Sequence, residues 1–261
     1  MSPWPYPFWI AHRGAGKLAP ENTLAAFRVG AAHGYRAFEC DVKLSSDGVP
    51  FLLHDATLQR TTNAHGTAGA RSWAELSRLD AGSWHGRLHA GEPPASLKGV
   101  AAFCLSNGFA LNIELKPSPG QESDTGRAVA SAVGSLWGNC PPPLMSSFDP
   151  RCLAAAQSAA PALPRALLID DVRQGWLDEA RQLGCVAVVA NYLLYEQAMV
   201  ADLHRAGLRA LAYTVNDPAA VHWLSRLGLD GLITDAVNRF SPASEGSACG
   251  EPAPGISARP V

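Results

Sequence analysis

Eight short apolar segments alternate along the chain with longer segments of helical pattern, and this alternation limits the possible folds more than any other feature. The predicted strands are Phe8–His12, Ala37–Val42, Ala110–Leu115, Leu144–Phe148, Arg165–Ile169, Cys185–Asn191, Arg209–Val215 and Gly231–Thr234. The predicted helices are Asn22–His33, Leu97–Ser106, Asp124–Leu136, Pro150–Ala159, Gln174–Leu183, Tyr195–Ala206 and Asp217–Leu227. Strand–helix repetition with short links predicts a parallel sheet, and eight such units in about 250 residues predict an α/β fold, the TIM (β/α)8 barrel. An open doubly wound sheet is the competing architecture, but it usually has fewer strands and the sequence has no GxGxxG opening.

One long region interrupts the alternation. Residues 55–96 contain Gly, Thr, Ser, His and Trp without a clear strand–helix pattern. Because a long insertion in a compact fold is usually functional, we expect a small cap over the site, inserted after the second strand. The predicted division is a barrel domain over residues 1–240, with the insertion at about 55–96, and a disordered tail over 241–261, rich in Pro, Ala, Gly and Ser.

The composition narrows the possible partners and the compartment. The chain is 47% hydrophobic and 17% charged, enough apolar sequence for a sizeable core, and its net charge of -2 favours neither nucleic acid nor anionic membrane as a partner. Its six cysteines form no CxxC pair, which argues against a zinc knuckle or a dithiol redox site. With no secretory signal and no apolar run of membrane-spanning length, we predict a cytoplasmic protein without stable membrane association.

Acidic side chains occur in a repeated pattern on two of the predicted strands. Residues two apart on a strand share a face, so Glu39 and Asp41 project together, as do Glu114 and Lys116. Carboxylates paired on one face are costly unless a positive group lies between them. Three carboxylates with water and substrate oxygens suit a hard cation, so the sequence predicts one divalent ion, Mg²⁺ or Ca²⁺.

Two histidines are expected beside these carboxylates. Asp47-Gly48 is a strong signal for a two-residue hairpin turn, and with that turn Asp41 faces His54 at a Cβ separation of about 5 Å. His12 is the last residue of the first predicted strand, at the end of the barrel where such enzymes have their sites. Two histidines beside a metal-bound phosphate suggest a general base and a general acid.

The charge of this cluster points to a phosphodiester. Arg13 and Lys116 leave one excess negative charge on the bare site, and a divalent cation would make the site positive, which suits a phosphodiester monoanion. Arg13 offers a planar fork to phosphate oxygens, and Lys116 offers a point charge. Because phosphodiesters are inert, acid–base catalysis needs added electrostatic stabilisation from the cation, Arg13 and Lys116.

Several segments closely resemble the glycerophosphodiester phosphodiesterases, and in particular their bacterial cytosolic type. The resemblance is carried by Ala11–Phe27, Phe38–Thr62, Leu111–Lys116, Ala74–Trp84, Ser146–Pro150, Tyr213–Asp217 and Asp230–Asp235. HRG, PENT, ExD, HD and ExK occur in that order, a combination far more specific than any single motif. The similarity extends from residue 8 to about residue 240.

The resemblance implies a TIM barrel with an inserted cap and a metal-dependent hydrolase. Its substrates would be small glycerophosphodiesters, such as glycerophosphocholine and glycerophosphoethanolamine, which it would cleave to glycerol 3-phosphate and an alcohol. By motif, the metal ligands would be Glu39, Asp41 and Glu114, the acid–base pair His12 and His54, the phosphate-binding residues Arg13 and Lys116, and the residues steadying the site Glu21 and Asn22. Analogy favours His12 as the base and His54 as the acid, and the residues alone leave the reverse assignment open.

Two other functions remain open at this point. A lipid-directed phospholipase D-like enzyme of the same superfamily would need an exposed apolar rim, and the sequence shows no such stripe. A non-catalytic phosphodiester-binding protein could use the same barrel, but no catalytic position is degraded. Tyr213 stands where many relatives have tryptophan, so we expect an altered wall of the substrate pocket.

Overall fold

The computed structural model describes residues 4–240 and residue 242, and the predicted tail, 241–261, lies outside these residues except for residue 242. The strands are β1 (Trp9–Ala11), β2 (Ala37–Leu44), β3 (Pro50–Leu52), β4 (Ala110–Leu115), β5 (Leu144–Ser147), β6 (Arg165–Ile169), β7 (Ala187–Asn191), β8 (Arg209–Tyr213) and β9 (Gly231–Thr234). Within residues 4–240, eight parallel strands pair in the order β1-β9-β8-β7-β6-β5-β4-β2, and β2 pairs again with β1. This second pairing closes the barrel, and β3 lies antiparallel on β2 outside the ring.

Helices connect the strands as the alternation predicts. They are α1 (Leu24–Ala32), α2 (Trp73–Leu76), α3 (Leu97–Asn107), α4 (Glu122–Trp137), α5 (Pro150–Ala159), α6 (Trp176–Gln182), α7 (Gln197–Arg205) and α8 (Pro218–Leu227). Short 3₁₀ turns cover Gly16–Leu18, Ala68–Ala70, Arg87–His89 and Tyr192–Leu194. The predicted fold, a TIM barrel with a small inserted cap, is therefore confirmed.

The two faces of the strands build two separate apolar layers. One set of side chains fills the barrel interior, among them Ile10, Leu168 and Val189. The alternate set packs between the strands and the surrounding helices, where Phe38 and Cys40 are buried. Because side chains alternate along a strand, polar residues on the interior face of β2 and β4 must lie inside the barrel near its carboxyl end.

The hairpin between β2 and β3 differs from the prediction by one residue. The predicted register placed Asp41 opposite His54, but the backbone amide of Leu53 donates to the carbonyl of Asp41 at 3.0 Å. The turn contains three residues rather than two, because Ser45 pairs with Val49 and Gly48 adopts a φ of 77°. A three-residue turn with a left-handed glycine is a common hairpin connection. The predicted register was therefore wrong.

The insertion after β3 has a small core of its own. Phe51, Leu53, Leu58 and Leu76 are buried together there. The insertion is also joined to the barrel, since Glu92 Oε1 accepts a hydrogen bond at 2.9 Å from a backbone amide in the first turn of α1. Among residues 4–240 and 242, no helix is both long and apolar enough to span a membrane.

Candidate active site

Three carboxylates converge at the carboxyl end of two neighbouring strands. Asp41 on β2 and Glu114 on β4 are direct cross-strand partners, and Glu39 lies two residues earlier on β2. One oxygen from each of the three carboxylates lies within 4.8 Å of the other two. Glu39 and Asp41 are 3% and 1% exposed, so their charges are removed from bulk water. The strand pattern thus produces the cluster that the sequence predicts.

The surrounding donors neutralise these carboxylates only in part. Glu39 Oε2 accepts from the backbone amide of Arg13 at 3.0 Å, whereas Glu39 Oε1 is buried without a hydrogen-bond partner among the described residues, 4–240 and 242. Lys116 Nζ lies 2.8 Å from Glu114 Oε1 and 3.4 Å from Asp41 Oδ1. A buried carboxylate oxygen without a donor is costly, and a cation would satisfy it. The oxygen-only donor set therefore fits a hard divalent ion.

Burial and mutual repulsion perturb the acidity of the cluster. Burial and the charge of Asp41 raise the pKa of Glu39, and the same two causes raise the pKa of Glu114. Burial also opposes ionisation of Asp41, but the charges of Arg13 and Lys116 outweigh it and lower the pKa of Asp41. A bound dication would relieve the repulsion and favour all three carboxylates in their ionised form.

His12 is oriented by a carboxylate that the sequence reasoning missed. Its Nδ1 lies 2.6 Å from Asp235 Oδ1, and its Nε2 lies 3.8 Å from Glu39 Oε2. Burial lowers the pKa of His12, but the Asp235 hydrogen bond and the Glu39 charge outweigh it, so the pKa is raised. Asp235 directly follows β9, and Asn216 Nδ2 donates to its other oxygen at 3.1 Å. The sequence feature that could have identified Asp235 is its position at the end of a predicted barrel strand, where active-site residues lie.

His54 reaches the same cavity although the predicted register was wrong. It lies beyond the end of β3, so the loop rather than cross-strand pairing directs its ring. Its Nδ1 lies 2.7 Å from Asp55 Oδ1. Burial lowers the pKa of His54, partly offset by the charge of Asp41 and the Asp55 hydrogen bond. Both histidines thus use Nδ1 for a carboxylate, which leaves Nε2 available for a substrate.

The segment after β1 supplies Arg13, Glu21 and Asn22. Arg13 Nη1 donates to Glu21 Oε1 at 2.8 Å, and Arg13 Nε lies 3.3 Å from Asp41 Oδ2. Asn22 Nδ2 donates to Asp41 Oδ2 at 2.8 Å, while Asn22 Oδ1 accepts from the Asp41 amide. Arg13 and Asn22 have φ values of 51° and 60°, a left-handed conformation that costs about 1–3 kcal/mol in a residue other than glycine. Thr23 caps α1 through its side chain.

A cavity of about 200 Å³ opens beside these groups. The predicted residues that line it are His12, Arg13, Glu39, His54, Glu114 and Lys116. Asp41, Glu21 and Asn22 do not line it and contact the residues that do. Phe148 and Tyr213 also line the cavity, and their ring centroids are 5.8 Å apart in an edge-to-face arrangement. The cavity is therefore lined by both charged groups and aromatic rings.

The comparison with known families agrees with this arrangement. A sequence profile described as "Glycerophosphoryl diester phosphodiesterase family" matches residues 12–239. The chain belongs to the glycerophosphoryl diester phosphodiesterase family. Its predicted family and its predicted enzyme class, a phosphoric diester hydrolase, are thus confirmed.

Relatives of this family resemble the chain over most of its length. The glycerophosphodiester phosphodiesterase of Caldanaerobacter subterraneus is 30% identical over 231 residues, which are 87% of this chain and 93% of that protein. YhdW of Bacillus subtilis is 32% identical over 234 residues, with the same coverage of 87% and 93%. A phosphodiesterase of Oleispira antarctica, solved in complex with the product sn-glycerol-3-phosphate, superposes with a TM-score of 0.85 at 33% identity. That match covers 92% of this chain and 96% of the other.

Proposed function

We propose that this member of the glycerophosphoryl diester phosphodiesterase family hydrolyses small glycerophosphodiesters, such as glycerophosphocholine and glycerophosphoethanolamine, to glycerol 3-phosphate and an alcohol. The observation that carries the proposal is a cluster of three carboxylates beside a cavity that two carboxylate-held imidazoles line. The product-bound Oleispira phosphodiesterase supports the choice of substrate class. A cytoplasmic location stays a prediction from the sequence.

Three residues would hold the metal in this proposal. Glu39, Asp41 and Glu114 offer hard oxygen donors, which favour Mg²⁺ or Ca²⁺ over softer ions. When bound, the ion would supply positive charge to the phosphoryl oxygens. Arg13 and Lys116 line the cavity and add to that charge, so they would bind and orient the phosphate.

The two histidines would divide the proton transfers. His12 Nε2 would take the proton of the glycerol hydroxyl beside the phosphate while that oxygen attacks phosphorus, and Asp235 would stabilise the resulting imidazolium. His54 would protonate the alcohol oxygen as its bond to phosphorus breaks. Water would then open the cyclic phosphate with the proton transfers reversed.

Product analysis tests this proposal. We expect the metal-supplemented chain to convert glycerophosphocholine to glycerol 3-phosphate and choline, as followed by phosphorus NMR. His12→Ala and His54→Ala should each lower the rate by about 10²–10⁴ and still bind the metal. His222→Ala, an exposed histidine on α8, is the matched control and should leave the rate unchanged.

Other results would overturn parts of the proposal. Tight substrate binding without turnover in saturating Mg²⁺ or Ca²⁺ would instead indicate the binding-protein alternative. Turnover of lysophosphatidylcholine in vesicles, without turnover of glycerophosphocholine, would indicate the lipid-directed alternative. Near-normal turnover in the His12 or His54 variant would contradict the assigned acid–base pair.

A further inference from the structure

Arg60, in the insertion after β3, forms bidentate hydrogen bonds with two carboxylates, those of Glu21 and Asp55. Its Nη1 and Nη2 atoms donate to Glu21 Oε2 and Oε1 at 2.7 and 2.8 Å. Its Nε and Nη2 atoms donate to Asp55 Oδ2 and Oδ1 at 2.7 and 2.9 Å. Both contacts are two-point forks, the geometry for which a planar guanidinium is suited and an ammonium is not.

The oxygens that Arg60 Nη2 contacts are the ones that hold two residues of the site. Glu21 Oε1 also accepts from Arg13 Nη1 at 2.8 Å. Asp55 Oδ1 also contacts His54 Nδ1 at 2.7 Å. A single nitrogen atom therefore connects the partner of the phosphate-binding Arg13 to the partner of His54.

This network differs from an ordinary surface ion pair. Arg60 is 44% exposed, and an isolated exposed pair is worth only about 0–1 kcal/mol. Here both contacts are bidentate, and Glu21 is only 13% exposed. Hydrogen bonds from Arg60 lower the pKa of Asp55, and with the charge of Arg13 they also lower the pKa of Glu21 against its burial. Both carboxylates thus stay ionised acceptors, whose orientation Arg60 fixes.

We propose that Arg60 is a positioning residue, which sets His54 relative to Arg13 through Asp55 and Glu21. This role rests on the proposed function, in which His54 protonates the leaving alcohol. Arg60 would hold His54 at a fixed distance from the phosphate. It also gives the insertion a direct part in the reaction. Misplacement of a reacting group by about 1 Å can cost about 10²-fold in rate, so the loss of this support should be measurable.

A double-mutant cycle tests the proposal. Arg60→Ala should lower kcat by about 10–100-fold, with KM changed by less than about threefold, because the loss lies in geometry rather than in substrate contact. Arg60→Lys should recover little of this loss. In the Asp55→Asn/Glu21→Gln background, the further change Arg60→Ala should cost less than about threefold, because its two partners are already altered.

The control uses a second bridging arginine outside the cavity. Arg151 binds Asp149 through two hydrogen bonds and lies 3.0 Å from Glu122. Arg151→Ala should leave kcat unchanged. Equal losses of kcat for Arg60→Ala in the wild-type and double-variant backgrounds would overturn the proposal, as would a kcat for Arg60→Ala within about twofold of wild type.

A second readout does not depend on the substrate. The Nδ1 proton of His54, assigned by NMR in the wild-type chain, should shift or broaden in Arg60→Ala while circular dichroism shows an intact fold. An unchanged His54 resonance would overturn the positioning role. If the wild-type chain released no glycerol 3-phosphate, the proposed function would fail, and the NMR comparison would still decide the role of Arg60.

Discussion

Replacing Asp235 by asparagine tests how His12 is activated. Asp235 Oδ1 lies 2.6 Å from His12 Nδ1, and the two side chains are 22% and 17% exposed. A hydrogen bond to a charged partner contributes about 1.5–3 kcal/mol. If that energy stabilises mainly the imidazolium formed in the reaction, Asp235→Asn should lower kcat/KM by about 10–150-fold.

The physical cause of the raised His12 pKa also predicts the direction in which the pH profile should move in this variant. Asp235 and Glu39 raise the pKa of His12 against its burial, so Asp235→Asn should lower that pKa. A general base must be deprotonated, so the acidic limb of kcat/KM should move to lower pH in the variant. The ratio of wild-type to variant rate should therefore be smaller at acidic pH than at alkaline pH.

The assay is initial-rate kinetics on glycerophosphocholine across the pH range, with metal at saturation. Asp230→Asn is the matched control: Asp230 precedes β9, 2.9 Å from His204 Nε2, whereas Asp235 follows the same strand. The control should lower stability, because Asp230 also binds Arg209, and should keep kcat. A rate for Asp235→Asn within about threefold of wild type at every pH would show that Asp235 does not activate His12. Movement of the alkaline limb alone would show that His12 acts as the acid.

Three further variants test other parts of the site. Asn22→Ala removes two hydrogen bonds from Asp41 and should weaken divalent-ion binding by about 10–100-fold in calorimetry; unchanged affinity would contradict this. Gly16→Ala would place a Cβ 2.2 Å from the carbonyl oxygen of Asp235, at a φ of 56°, so it should cost more than about 2 kcal/mol in denaturant unfolding. Burial and the charge of Lys116 lower the pKa of Lys43 to about 8. Below that pH the folded state must bury a charged Lys43, which lowers the free energy of unfolding. The stability of wild type relative to Lys43→Met should thus rise by up to about 3 kcal/mol between about pH 8 and pH 10.5, measured by urea unfolding with chelator; a flat difference would contradict this.

The barrel and its carboxylate cluster were predictable because both depend on local periodicity. Side chains two apart on a strand share a face whatever the rest of the chain does, and parallel strands bring their carboxyl ends together. Glu39, Asp41 and Glu114 could therefore be placed on one site without any contact information. The number of strand–helix units then predicts a closed barrel, whose strand ends form the site.

The carboxylate that holds His12, and the link from Arg60 to Glu21, depend on contacts between distant residues that no local pattern encodes. Asp235 is 223 residues from His12, and Arg60 is 39 residues from Glu21. The hairpin register was wrong because a single additional turn residue shifts the pairing, and a one-residue shift reverses the face of every side chain. His54 still reaches the cavity because it lies beyond the paired strand.

Metal titration of the chelated chain, with binding and turnover measured on the same samples, tests whether the three carboxylates hold an ion that catalysis needs. Activity should return in proportion to one divalent ion per chain, and Glu39→Gln should bind this ion more weakly and lose activity in parallel. Full turnover by the chelated chain with no ion bound would show that catalysis needs no metal at this site.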